Sequence, residues 1–299
     1  MSSTPGLSTS VQELLEDLDL FRLPVIPKEV CRRLGIEYRE YRYEGIEGSL
    51  MVIGSHQLIA VNAKTREASR RAFTCAHELG HYYFDLDEGE SSFTCSENDV
   101  IYPSQDPREL RANEFAAELL MPTALVMPMI KSAKPSWEVI SKLAEVTGSS
   151  LQAAAQRYVA LTKHPCWLAF MDGGQIRRYQ KQDRAKQHLS TKAWIDLRDC
   201  AERKWEKVPA ALWMGKGRYT RGKTLYQAIM PENQYGDTLA LIWDRHREFS
   251  FIRRKAVWKW LLAAGLAICL FAWAIKAIEN RQSVLKRKTG AVHHVQGSK

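Results

Sequence analysis

The residues with the plainest chemistry are His77, Glu78 and His81, in the run Cys75-Ala76-His77-Glu78-Leu79-Gly80-His81-Tyr82-Tyr83. On an α-helix, residues four apart lie on one face, so His77 and His81 can turn both imidazoles toward one ion. Glu78, one step round the helix, is placed to hold a water at that ion and take its proton. The flanks Ala72-Phe73, Leu79 and Tyr82 to Phe84 are apolar enough to bury such a helix. The pentapeptide alone is weak, because a core helix with two incidental histidines has the same signature. A catalytic zinc wants three protein ligands and one open position, so the chain must supply a third ligand elsewhere.

Pro107 to Pro122 reads as a second helix. Leu110, Phe115, Leu119 and Leu120, with the small Ala112, Ala116 and Ala117, make it amphipathic, and Pro122 closes it. Glu109, 28 residues after His81, can complete a His2Glu ligand set from this facing helix. Asn113, one turn on, can hydrogen-bond one of the histidines. Glu114 and Glu118 compete for the ligand role but fall on a different face from Asn113. Otherwise they read as solvent-exposed helix carboxylates.

Arg71-Ala72-Phe73-Thr74 running into His77-Glu78-Leu79-Gly80-His81, followed by Glu109-x-x-Ala112-Asn113-x-Phe115-Ala116-Ala117-Glu118-Leu119-Leu120-Met121-Pro122, resembles the ImmA/IrrE family of metallopeptidases. The likeness runs over about residues 25–165, and Ile59-Ala60-Val61-Asn62 fits the strand this family places before its motif helix. The resemblance implies that His77, His81 and Glu109 bind Zn²⁺ and that Glu78 is the catalytic base. It also implies a protein substrate, a DNA-binding repressor whose cleavage releases genes of a mobile element, a phage or a stress response. The residue that stabilises the tetrahedral oxyanion stays open. Tyr82, Tyr102 and His164 are candidates, each with a structural role as the blander alternative.

Length and charge frame the rest. The chain has 299 residues, enough for one large domain or two modest ones. Residues 1–130 carry 12 Lys+Arg against 21 Asp+Glu, and residues 131–299 carry 31 against 13. The half with the His-Glu-x-x-His is acidic and the other half basic, which suits a basic half that faces nucleic acid or anionic lipid. Six scattered cysteines without C-x-x-C spacing argue against a structural zinc site or a disulfide framework. Residues 1–10 have no basic start and no apolar run, so they read as a disordered tail rather than a secretory signal.

The expected fold class is α+β. A mostly helical, zincin-like metallopeptidase domain with a small antiparallel sheet occupies 11–165. Its helices start at Ser10 and Pro27 and cover Arg66 to Asp85. Its strands cover Ile36 to Tyr43, Ser49 to Ile53 and Gln57 to Asn62, and Leu86 to Asp99 is an acidic loop. Ser136 to Tyr158 reads as helix, Gly turn, helix. A helix-turn-helix has this form, but Gln152, Gln156 and Arg157 give little positive charge for phosphates. Direct nucleic-acid binding therefore ranks behind protein recognition.

Residues 166–250 form a small basic α+β region, possible as a sensory module. Strands are expected at Cys166 to Met171, Gln175 to Tyr179 and Leu239 to Trp243. Between them basic residues alternate with tryptophans (Trp194, Trp205, Trp213), a composition that can also bind single-stranded nucleic acid. Val257 to Ile278 is apolar apart from Lys259 and Lys276. Its uninterrupted core of 16 residues, Trp260 to Ile275, spans about 24 Å as helix. Lysines that snorkel and flanking tryptophans make it a single-pass transmembrane candidate, with 279–299 as a basic tail. The expected location is a membrane with the catalytic domain cytoplasmic. Ala263 and Ala267 could pair two such helices in a homodimer. The competing function is a non-proteolytic, zinc-containing regulator or toxin-antitoxin partner.

Overall fold

Prolines and N-cap hydroxyls set most helix starts. The computed structural model describes residues 5–86, 92–96, 106–197, 203–230 and 238–245. Helix α1 (Pro5–Asp17) begins earlier than Ser10, so residues 5–10 are helix rather than disordered tail. Ser10 donates to the Gly6 carbonyl instead of capping. Val11 and Leu15 are fully buried, and Ser8 Oγ donates to Glu118 at 3.1 Å, which ties the segment down. Helix α2 (Pro27–Leu34) has Pro27 in its first turn and Gly35 after its last. Helix α3 (Ala68–Phe84) carries the motif, and α4 (Pro107–Leu120) starts at Asp106, whose carboxylate accepts from Arg108 N.

Strands β1 (Glu37–Tyr41), β2 (Ile46–Ile53), β3 (His56–Asn62) and β4 (Ser92–Ser96) form one sheet in the order β1-β3-β2-β4. The sheet is mixed rather than antiparallel, because β1 runs parallel to β3. The side chain of Asn62 explains how the chain reaches that order. Its amide oxygen accepts from the backbone N–H groups of Tyr43 and Lys64, and its nitrogen donates to the Tyr43 and Ile46 carbonyls. The β1–β2 connection is thereby pinned across the end of β3, and β3 returns between its two predecessors. β4 lies within the segment expected to be a loop and pairs antiparallel with β2.

Helices α5 (Thr123–Ile130), α6 (Trp137–Thr147) and α7 (Leu151–Leu161) follow. Ser136 and Ser150 cap α6 and α7 through Val139 N and Ala153 N. Arg157 of α7 is buried and pairs with the buried Glu118 of α4, while its Nε donates to the Met121 carbonyl at 3.0 Å. Glu118 also accepts from Thr123 N at 2.6 Å. Glu118 is therefore not the solvent-exposed carboxylate expected, and Arg157 is committed to the interior. Breaking a buried pair by removing one partner costs about 3–5 kcal/mol, because the remaining charge stays desolvated. Arg157→Met should lose stability of that size in urea unfolding.

A second sheet, antiparallel throughout, has the order β6-β5-β9-β8-β7. Its strands are β5 (Cys166–Asp172), β6 (Gln175–Lys181), β7 (Glu206–Pro209), β8 (Thr224–Met230) and β9 (Thr238–Trp243), with the short α8 (Ala210–Met214) between β7 and β8. β7 and β8 fall in the basic, tryptophan-rich stretch. Trp213 there is fully buried and donates to Gln227 Oε1, Trp205 packs on the core, and Trp194 is 65% exposed. One face of the sheet shares a core with helices α3 to α7. Leu168, Phe170, Leu239 and Leu241 join Leu79, Phe115, Ile140 and Tyr158 in a single apolar cluster. Cys31, Cys75 and Cys166 are free, buried thiols.

The described residues belong to one compact unit, Met1–Arg245. The expected membrane segment 257–278 and tail 279–299 lie outside the described residues. Among the described residues, no helix is long and apolar enough to cross a membrane.

Candidate metal centre

Two small residues bring the chemistry together. At Gly80, a Cβ would come within 2.9 Å of the Ala112 Cα and 3.2 Å of its Cβ. Because Gly80 has no Cβ, α4 can lie directly against α3, which sets Glu109 and Asn113 beside the histidines. The second is Gly48 in β2. A Cβ there would meet Thr74 Cγ2 at 2.4 Å and Glu78 Oε1 at 2.9 Å, so the sheet backbone passes close over the Glu78 carboxylate.

His77, His81 and Glu109 converge. His77 Nε2 and His81 Nε2 are 3.1 Å apart, and Glu109 oxygens lie 3.1 Å from the first and 3.3 Å from the second. Ligands about 2.0–2.1 Å from a tetrahedral ion stand about 3.3 Å from one another, so the spacing fits. The tautomers agree. His77 Nδ1 donates to Asn113 Oδ1 at 3.0 Å and His81 Nδ1 donates to Asp85 Oδ2 at 2.7 Å, which leaves the lone pairs on Nε2. Two lone pairs and a carboxylate facing one another need a cation among them. Among the described residues, these three form the group able to hold a metal ion.

The electrostatics of these groups favour a positive charge among them. Burial opposes charge on His81, but hydrogen bonds with Glu109 and Asp85 outweigh it and raise its pKa. Burial likewise opposes ionisation of Glu109, yet hydrogen bonds from His77 and His81 bring its carboxyl down to about 2. The ion pair so formed is the arrangement a divalent cation would displace. His77, Glu78 and His81 are all but fully buried, whereas Glu109 keeps 19% of its side chain exposed. Of the three converging side chains, Glu109 is therefore the one most open to solvent among the described residues.

Of the residues expected in the site, His77, His81 and Glu109 converge, Asn113 bonds the His77 ring, and Glu78 is buried on the same helix beneath Gly48. The competing carboxylates are not. Glu118 is taken by Arg157, and Glu114 sits elsewhere on α4. Of the oxyanion candidates, Tyr82 packs against the core, His164 lies edge-on to Trp243, and Tyr102 is outside the described residues. Sequence reasoning missed Asp85. Its spacing of four from His81 was the available signal.

Residues 31–158 match the Peptidase_M78 family, described as "IrrE N-terminal-like domain". No curated protein matches the chain. Among the solved structures that match, a Mycobacterium tuberculosis transcriptional regulator is 13% identical, with 81% of this chain and 77% of that one covered and a TM-score of 0.50. At that identity the likeness is one of fold. Both helices of the metal centre lie inside the matched segment, so the family match at residues 31–158 supports the ImmA/IrrE resemblance.

Proposed function

We propose that the chain is a zinc-dependent endopeptidase that cuts a regulatory protein, a helix-turn-helix repressor, while held at a membrane through residues 257–278. The observation that carries the catalytic part is the 3.1–3.3 Å convergence of His77, His81 and Glu109, with Glu78 on the same helix. The chemistry zinc supplies when bound there is Lewis acidity toward water and a peptide carbonyl. His77, His81 and Glu109 hold the site, and Asn113 fixes the His77 ring. Glu78 takes a proton from the attacking water and returns it to the leaving amine. The membrane part is supported by the apolar run from Val257 to Ile278, with basic clusters on both sides.

The substrate class rests on the family. Its test is incubation of the zinc-loaded chain with purified helix-turn-helix regulators encoded in the same genome, and mass spectrometry of the products. A discrete cut in one regulator, abolished by a chelator and restored by Zn²⁺, is expected. Intact regulators throughout would leave the zinc-containing, non-proteolytic regulator as the better account.

A further inference from the structure

The two histidines are held by different kinds of partner. His77 has the neutral amide of Asn113, whereas His81 has the carboxylate of Asp85 at 2.7 Å. Asp85 occupies a poor place for an acid. It is the C-cap of α3, where its own N–H bonds to the His81 carbonyl, and it is 1% exposed. Burial of a carboxylate and its placement at the negative end of a helix both disfavour it. The compensation comes from two sides. One oxygen accepts from His81, and the other is paired with Arg111, which reaches across from α4 and lies over the Phe84 ring at 5.5 Å.

We propose that Asp85 and Arg111 are a positioning pair for the metal centre: Asp85 fixes the His81 ring and strengthens it as a ligand, and Arg111 holds Asp85 in place. This rests on the assignment of His77, His81 and Glu109 as a metal centre. It gives α4 a hand in all three ligands. The helix supplies Glu109 itself, orients His77 through Asn113, and secures His81 through Arg111 and Asp85. Groups that orient metal-bound histidines typically contribute 10–100-fold in metal affinity.

The test is Zn²⁺ affinity of the full chain, measured by chelator competition, for Asp85→Asn, Arg111→Met and Arg111→Lys. Asp85→Asn should weaken binding about 10–100-fold and Arg111→Met about 3–10-fold, with Arg111→Lys recovering most of the loss. Melting with and without Zn²⁺ separates positioning from mere structure. A positioning role shrinks the metal-induced rise in Tm for Asp85→Asn, whereas a structural one lowers both Tm values and leaves the rise intact. The Co²⁺-substituted protein should show an altered visible spectrum in Asp85→Asn. Asp85→Asn that binds Zn²⁺ as tightly as the parent, with an unchanged Co²⁺ spectrum, overturns the pair but not the metal centre. A parent chain that binds no metal overturns both.

Discussion

Glu78→Gln should abolish hydrolysis while Zn²⁺ stays bound at one equivalent. Glutamine keeps the shape of the side chain, so the fully buried position beneath Gly48 remains filled and α3 keeps its place. What is lost is the ability to accept a proton from water and pass it on. General-base contributions run to about 10²–10⁴-fold in rate, and that is the expected fall in kcat. Metal content and turnover must be measured on the same preparation. Loss of metal along with activity would make Glu78 a ligand, and undiminished turnover would put the base elsewhere.

Gly80→Ala should have an effect of similar size by a different route. The added methyl would meet the Ala112 backbone at 2.9 Å, well inside the 3.5–4.0 Å of ordinary carbon contacts. Since a backbone atom cannot rotate away, α3 and α4 must separate by about 1 Å. Two effects on stability oppose each other. Overpacking costs about 1–3 kcal/mol, and replacing a helical glycine by alanine returns about 1. The fold should therefore survive with a small loss. Catalysis should not, because Glu109 moves with α4 while the histidines stay on α3. A displacement of about 1 Å can cost 10²-fold in rate, so activity should fall by about that factor or more. Near-parental Tm with reduced metal affinity would confirm it, and unchanged affinity would show that the helices tolerate the methyl.

The site was legible in the sequence because helix geometry does the placing. A spacing of four puts His77 and His81 on one face, and a second spacing of four does the same for Glu109 and Asn113, so two local patterns fix most of the centre. What escaped was set by contacts distant in sequence. Asp85 shares the helical spacing with His81, but its burial depends on Arg111, 26 residues away. The order of the first sheet depends on Asn62 holding the β1–β2 connection, and alternation reveals a strand without naming its neighbour. β8 was missed because it lies between β7 and β9 with apolar clusters on both faces. Thr224–Met230 therefore has no clean alternation to show. The sequence shows the charge of Arg157 but not the buried Glu118 that neutralises it.

The shared apolar cluster has a practical bearing. The family match spans residues 31–158, yet the interior that shelters the metal helix continues through Leu168 and Phe170 to Leu241. Trp137 shows the same dependence, since its indole donates to the Ala228 carbonyl on β8 at 2.9 Å. A fragment trimmed to the recognisable motif would leave its oily side open to water. The smallest piece able to work alone is therefore longer than the piece that can be recognised, and for this chain the two have different borders.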